Sequence, residues 1–125
     1  MNRKEGLLKL RPKIKTIKRD LNTIGIEKFQ NDTIRPILKF QHDILRAIFQ
    51  DSLTKGKIQF DNLRLEEKEA KLDQLFQKNL SYKNQSIGVV IGMFTKEEYT
   101  TYSSNPSSYN RRIVTMLKQR IISTY

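Results

Sequence analysis

Leu7, Leu10, Ile14, Ile17, Leu21 and Ile24 recur at intervals of 3, 4, 3, 4 and 3, with lysines between them. That is the spacing of one apolar helical face. Pro12 cuts the stripe, because a proline inside a helix loses a hydrogen bond and clashes with the preceding turn at ~3 kcal/mol or more. The pattern predicts a short helix ending near Leu10, then a second short helix or an extended arm from Pro12, closed by Gly25. Ile34 to Ser52 carries the clearest helical signal. Ile34, Ile37, Leu38, Ile44, Leu45, Ile48 and Phe49 form its apolar side, and Arg35, Lys39, His42, Asp43, Arg46 and Gln50 the opposite side. Thr33 or Asp32 is placed to cap the start, Pro36 is tolerated in the first turn, and Lys55-Gly56-Lys57 supplies a glycine stop. Lys39–Asp43 and Asp43–Arg46 are spaced as helix-surface ion pairs.

A third helix is predicted from Leu65 to about Lys83. Glu66, Glu67 and Glu69 sit in its first turns, where the helix dipole favours negative charge. Leu65, Leu72, Leu75, Phe76 and Leu80 make its buried side. Ile87 to Phe94 is an apolar run that periodicity alone assigns to strand or helix. Its β-branched residues favour strand, but no second strand exists to satisfy its backbone, so helix is predicted. Thr95-Lys96-Glu97-Glu98 has the form of a capping box, starting a short helix through Tyr102. Asn105 as N-cap and Pro106 at the first position begin the last helix. Its apolar face is Tyr109, Ile113, Met116, Leu117 and Ile121, and its polar face is Arg111, Arg112, Thr115, Lys118 and Gln119. The expected fold is all-α, a small helical bundle of about five to six helices. It forms one domain over 1–125, with 1–24 as a basic N-terminal arm or short helices.

Composition narrows the chemistry. The chain has 125 residues, 37% hydrophobic and 30% charged, so its core is lean. It has no cysteine, which excludes disulfides, thiol catalysis, zinc fingers and Cys-ligated iron–sulfur clusters. No signal-peptide pattern opens the sequence, and the Ile87–Phe94 run is far short of the ~20 residues a spanning helix needs. The expected location is cytoplasmic. The net charge is +11, and it is concentrated at the two ends. The first 20 residues hold eight Lys and Arg against Glu5 and Asp20, and residues 101–125 hold four cations and no acid. Such asymmetry points to a polyanion partner, nucleic acid, an acidic protein or a membrane surface, or else only to solubility. Arg11, Lys13, Arg35, Lys39, Arg111, Arg112 and Lys118 are the candidate contacts.

Other constellations are weaker. His42-Asp43 matches the metal-binding dipeptide of helical phosphohydrolases, but the chain has no further histidine to complete a coordination shell. Glu66, Glu67, Glu69 and Asp73 alternate with Lys68 and Lys71, as a solvated helix face does. No metal site and no cofactor are expected. Gly88 and Gly92 lie one turn apart, where another backbone can come close, either within the domain or across a homodimer. In Tyr109-Asn110-Arg111-Arg112 an aromatic stands beside cations, as in single-strand binders, yet Tyr109 falls on the apolar side. Arg120 lies near the middle of an apolar face. There an arginine needs a carboxylate, an exposed edge or a partner chain, so with Gly88 and Gly92 it marks a candidate assembly surface for a homo-oligomer.

One longer pattern combines residues 28–41 (Lys28-Phe29-Gln30-Asn31-Asp32-Thr33-Ile34-Arg35-Pro36-Ile37-Leu38-Lys39-Phe40-Gln41) with Tyr82-Lys83-Asn84-Gln85, Ile91-Gly92-Met93-Phe94-Thr95 and Glu97-Glu98-Tyr99. It resembles a small family of uncharacterised bacterial proteins whose members often carry the label glyoxalase. The resemblance spans about residues 7–122 and transfers no catalytic residues. A lactoylglutathione lyase would imply paired βαβββ modules and a metal held by His, Glu or Gln from several strands. One histidine and almost no alternating pattern do not supply these. The residues favour a non-enzymatic helical module that binds another macromolecule, a polyanion or a protein partner, or itself. The alternative is a small enzyme of unknown reaction, the glyoxalase label included.

Overall fold

The structure, a computed structural model, describes residues 2–13 and 25–125, and every regular element among them is helical. Seven helices and a short 3-10 turn result, against the five to six helices expected. Helix α1 (Arg3–Leu10) is capped by Asn2, whose Oδ1 accepts the Glu5 amide at 2.9 Å, and it stops before Pro12 as the sequence predicts. Leu7 is its buried contact. The stripe positions Ile14, Ile17, Leu21 and Ile24, and the second helix or arm predicted there, lie outside the described residues.

Helix α2 covers residues 26–40. It is α-helical at Ile26–Phe29, widens to a π-turn at Gln30–Ile34 and returns to α at Arg35–Phe40. The predicted helix start at Ile34 is therefore corrected to Ile26. Pro36 is not in a first turn but inside a helix. It has no N–H for the Asp32 carbonyl, and its ring crowds that carbonyl. The widened turn, in which the Arg35 amide reaches back to the Gln30 carbonyl, accommodates it. Thr33 caps nothing; it is buried, and its hydroxyl donates to Glu98 Oε2 at 3.1 Å. The chain breaks again at Gln41 (φ −90°, ψ 10°), so α3 (His42–Lys55) is a separate helix. The ion pair on its surface is Asp51–Lys55 at 2.9 Å.

The stop after α3 is displaced by one residue from the expected glycine. Gly56 remains right-handed, and Lys57 takes the left-handed conformation at φ 53°. The Ile58 amide bonds the Leu53 carbonyl at 2.9 Å and the Lys57 amide bonds Thr54 at 3.1 Å. This is the hydrogen-bond pair of a Schellman ending. A 3-10 turn at Phe60–Asn62 leads to α4 (Leu65–Lys78) and α5 (Leu80–Ile91). The single helix predicted to about Lys83 is split at Asn79 (φ −98°, ψ 84°), whose side chain accepts the Tyr82 amide at 3.1 Å. An asparagine competes for backbone groups in this way and favours a cap over a helix interior. Leu65 and Leu80, expected inside, are 58% and 60% exposed at the starts of the two helices.

The apolar run 87–94 is helical to Ile91, as predicted, and then turns at Gly92. Helix α6 (Lys96–Ser103) has the predicted capping box: the Glu98 amide donates to Thr95 Oγ1 at 3.2 Å and the Thr95 amide to Glu98 Oε1 at 2.8 Å. Helix α7 (Pro106–Ser123) begins at Pro106, although Asn105 makes no side-chain cap bond. Its predicted face, Tyr109, Ile113, Met116, Leu117 and Ile121, is buried throughout. Helix α5 packs against α3, α4 and α7. The core is rich in aromatics: Phe29 stands edge-on to Phe94 and Tyr109 at 5.4 and 4.8 Å, and Phe49 to Phe60 at 5.1 Å. Among the described residues no helix is long and apolar enough to cross a membrane.

Candidate polyanion-binding surface

Helices α2 and α7 run beside each other, and their polar flanks bring several cations together. Arg112, early in α7, donates through Nη1 to Gln30 Oε1 in the π-turn at 3.3 Å. Further along, Arg35 of α2 faces Met116, Gln119 and Arg120 of α7 across a recess of about 300 Å3. Lys39 is exposed one turn beyond Arg35. Arg120 Nη1 lies 3.3 Å from Nδ1 of His42, the first residue of α3. A guanidinium only donates, so Nδ1 accepts and the imidazole proton is assigned to Nε2. Arg46 follows one turn later, its guanidinium 5.2 Å from the centre of the Tyr125 ring. Arg112, Arg35, Lys39, Arg120 and Arg46 thus form a basic band, with His42 within it as a hydrogen-bond acceptor.

Acids lie near the band at Asp32, Asp43 and Asp61, the last in the cavity it shares with Arg46. Neither Arg35 nor Arg120 forms a salt bridge among the described residues. The Nε atoms of Arg35 and Arg46 are buried without a hydrogen-bond acceptor. Burial, and then the neighbouring Arg35 charge, push the Arg120 guanidinium below its ordinary value. Helix α7 contains no aspartate or glutamate at all. Unpaired, half-buried positive charge is costly unless an external anion meets it.

The other predicted cations are placed differently. Arg11 is held in a bidentate pair with Glu98, with Nη1 donating to Oε2 at 2.6 Å, and Nη2 also reaches the Met93 carbonyl at 2.7 Å. Only 8% of its side chain is exposed, so it is committed inside the fold. Arg3 likewise donates to the carbonyls of Phe94 and Gly92 at 2.8 and 3.0 Å, closing the end of α5. Lys118 pairs with Asp73 of α4 at 2.8 Å, and Arg111, two turns earlier, is exposed on the same flank of α7, away from Arg35. Lys13 is exposed beyond the end of α1.

Gly88 is exposed, and among the described residues a methyl group built on it would meet nothing within 4 Å. Tyr109 is buried against Phe29 rather than presented to a base. Among the described residues no group of three His, Asp or Glu side chains is placed to hold a metal ion. The sequence places His42 and Arg46 on the polar side of the predicted helix, and the structure brings both to the band. Their signal was present: Arg35, Lys39, His42 and Arg46 are spaced 4, 3 and 4. A second cavity of about 790 Å3 adjoins them, lined by Arg46, Gln50, Gln59, Phe60, Asn62 and Tyr125. Comparison with protein-family models, curated proteins and solved structures returns no match.

Proposed function

We propose that the protein is a helical binding module for a polyanion, and that the polyanion is a nucleic acid lying along the α2–α7 band. One observation carries this reading. Arg35 and Arg120 stand at one recess, half-buried, with no carboxylate partner among the described residues. Arg112 and Lys39 extend the positive field on either side, and the net charge of +11 adds long-range attraction. Cytoplasmic location fits this reading, as does a polyphosphate backbone as the natural source of closely spaced negative charge.

The test is fluorescence anisotropy of labelled single-stranded and duplex oligonucleotides over a salt series. Binding should weaken linearly in log–log form as counterions are released. Replacing Lys39 and Arg112 together by glutamine should reduce the slope by about 1.4–1.8, two phosphate contacts' worth. Absence of binding at low salt would remove the reading. Tighter binding of polyglutamate than of either oligonucleotide would replace nucleic acid with an acidic protein.

A further inference from the structure

Resting on that reading, we infer that the recess between Arg35 and Arg120 is a site for a phosphomonoester, and that it takes the terminal phosphate of a nucleic-acid strand. The recess is a concave space of about 300 Å3, with Leu38 and Met116 as its apolar part and Arg35, Gln119 and Arg120 as its donors. Charge selects among possible anions. The two guanidiniums carry two positive charges in a half-buried setting. A carboxylate or an internal phosphodiester brings a single negative charge and leaves one guanidinium uncompensated. A terminal phosphate carries nearly two above its second pKa of ≈ 6 and presents three strong acceptor oxygens. Paired guanidinium forks match that arrangement of oxygens better than any other side chain.

His42 Nδ1 takes one N–H of Arg120 at 3.3 Å and leaves its other donors available. The Ser123 hydroxyl on the rim donates to the Arg120 carbonyl at 2.7 Å. The Arg35 Nε–H is buried and lacks an acceptor, as do those of Arg11 and Arg46, so the recess is distinguished by its pair of guanidiniums and not by this atom. The acidic side chain nearest in sequence on α3 is Asp43, which is exposed. Asp32, one turn before Arg35, makes its own interaction. Lys39 and Arg112 flank the recess and supply contacts for the phosphates that follow the first.

The experiment compares the intact protein's affinity for one decanucleotide with a 5′-phosphate, a 3′-phosphate or two hydroxyl ends. Inorganic phosphate and a nucleoside monophosphate serve as competitors. One phosphorylated end should bind at least tenfold tighter than the hydroxyl form. Millimolar inorganic phosphate should erase that difference and leave the residual salt-dependent binding intact. Both Arg120→Gln and Arg35→Gln should abolish the preference, and Arg120→Lys should not restore it, because a lysine cannot form the fork. Thermal melts identify any variant that fails to fold, and the competition assay on the unaltered protein is independent of them. Equal affinity for all three ends overturns the inference and leaves the polyanion reading standing. No binding of any oligonucleotide overturns both. Tighter binding of a phosphoserine peptide than of the phosphorylated strands overturns the nucleic-acid source, and tight binding of the monophosphate alone overturns the strand.

Discussion

Arg11 and Arg120 are both arginines that the fold removes in part from water, and they are treated in opposite ways. Arg11 meets the Glu98 carboxylate with both terminal nitrogens and a backbone carbonyl besides. Glu98 in turn caps α6 through the Thr95 amide and accepts the Thr33 hydroxyl. One carboxylate therefore ties α1, α2 and α6 together. Arg120 meets an imidazole nitrogen and another arginine. The first arrangement gives the buried ion a counter-charge, although the Arg11 Nε–H finds no acceptor; the second has no carboxylate partner among the described residues. Arg11 is paired within the fold, and the proposed site draws on the cation that is not.

The largest effect should come from breaking the satisfied pair. Glu98→Ala leaves Arg11 buried without its counter-ion and should cost about 3 kcal/mol in chemical denaturation. A loss below 1 kcal/mol would show that the pair is not what docks α1. Acid should act on the same contact. Burial alone would push the Glu98 carboxyl up, but hydrogen bonds from Arg11 and the Thr95 amide, the Arg11 charge and the Thr33 hydroxyl hold it below the usual carboxylate range. A folded pKa below the unfolded one gives stability that is present above about pH 4.3 and lost as pH falls through the folded value. Glu98→Gln should therefore flatten that part of the stability curve relative to the unaltered protein, measured by denaturant midpoints between pH 3 and 6.

That contrast was only half legible in the sequence. Periodicity marked Arg120 as anomalous, because its neighbours on α7 are apolar. It could not show that Arg35 stands opposite, since that depends on how α2 and α7 lie together. The extension of α2 back to Ile26 was hidden by Pro36, which reads as a helix start until the π-turn that tolerates it is seen. The sequence offers Arg11 as a polyanion contact because its partner lies 87 positions away, beyond the reach of local patterns. Local signals were read more successfully. Thr95 and Glu98 define a cap within one turn, and the five buried positions of α7 follow from spacing alone. Asn79 carried a capping signal too, but it stood inside a run of good helix formers and was overridden.

Next in size is the opposite change. Arg120→Met removes one of two neighbouring positive charges and fills the same space with apolar atoms. It should stabilise the fold by about 0.5–1 kcal/mol while removing phosphate-dependent binding, the trade expected where a site is kept at a cost to the fold. Destabilisation beyond 1 kcal/mol would mean that Arg120 is needed for packing, like Arg11, and the contrast between them would fail.

The smallest effect provides the control. Lys57 holds a left-handed conformation at the end of α3, next to a glycine that does not need one. A side chain there costs about 1 kcal/mol, and glycine regains most of that while adding some freedom to the unfolded chain. Lys57→Gly should therefore stabilise by about 0.5 kcal/mol in the same denaturation assay. Lysine 57 does not line the Arg35–Arg120 recess, so the phosphate preference of this variant should stay unchanged. Two substitutions that each remove a cation and each stabilise the fold would then differ in a single respect, the loss of end-phosphate recognition. If Lys57→Gly lost that preference as well, the effect of Arg120→Met would reduce to net charge, and the recess would have no special part in binding.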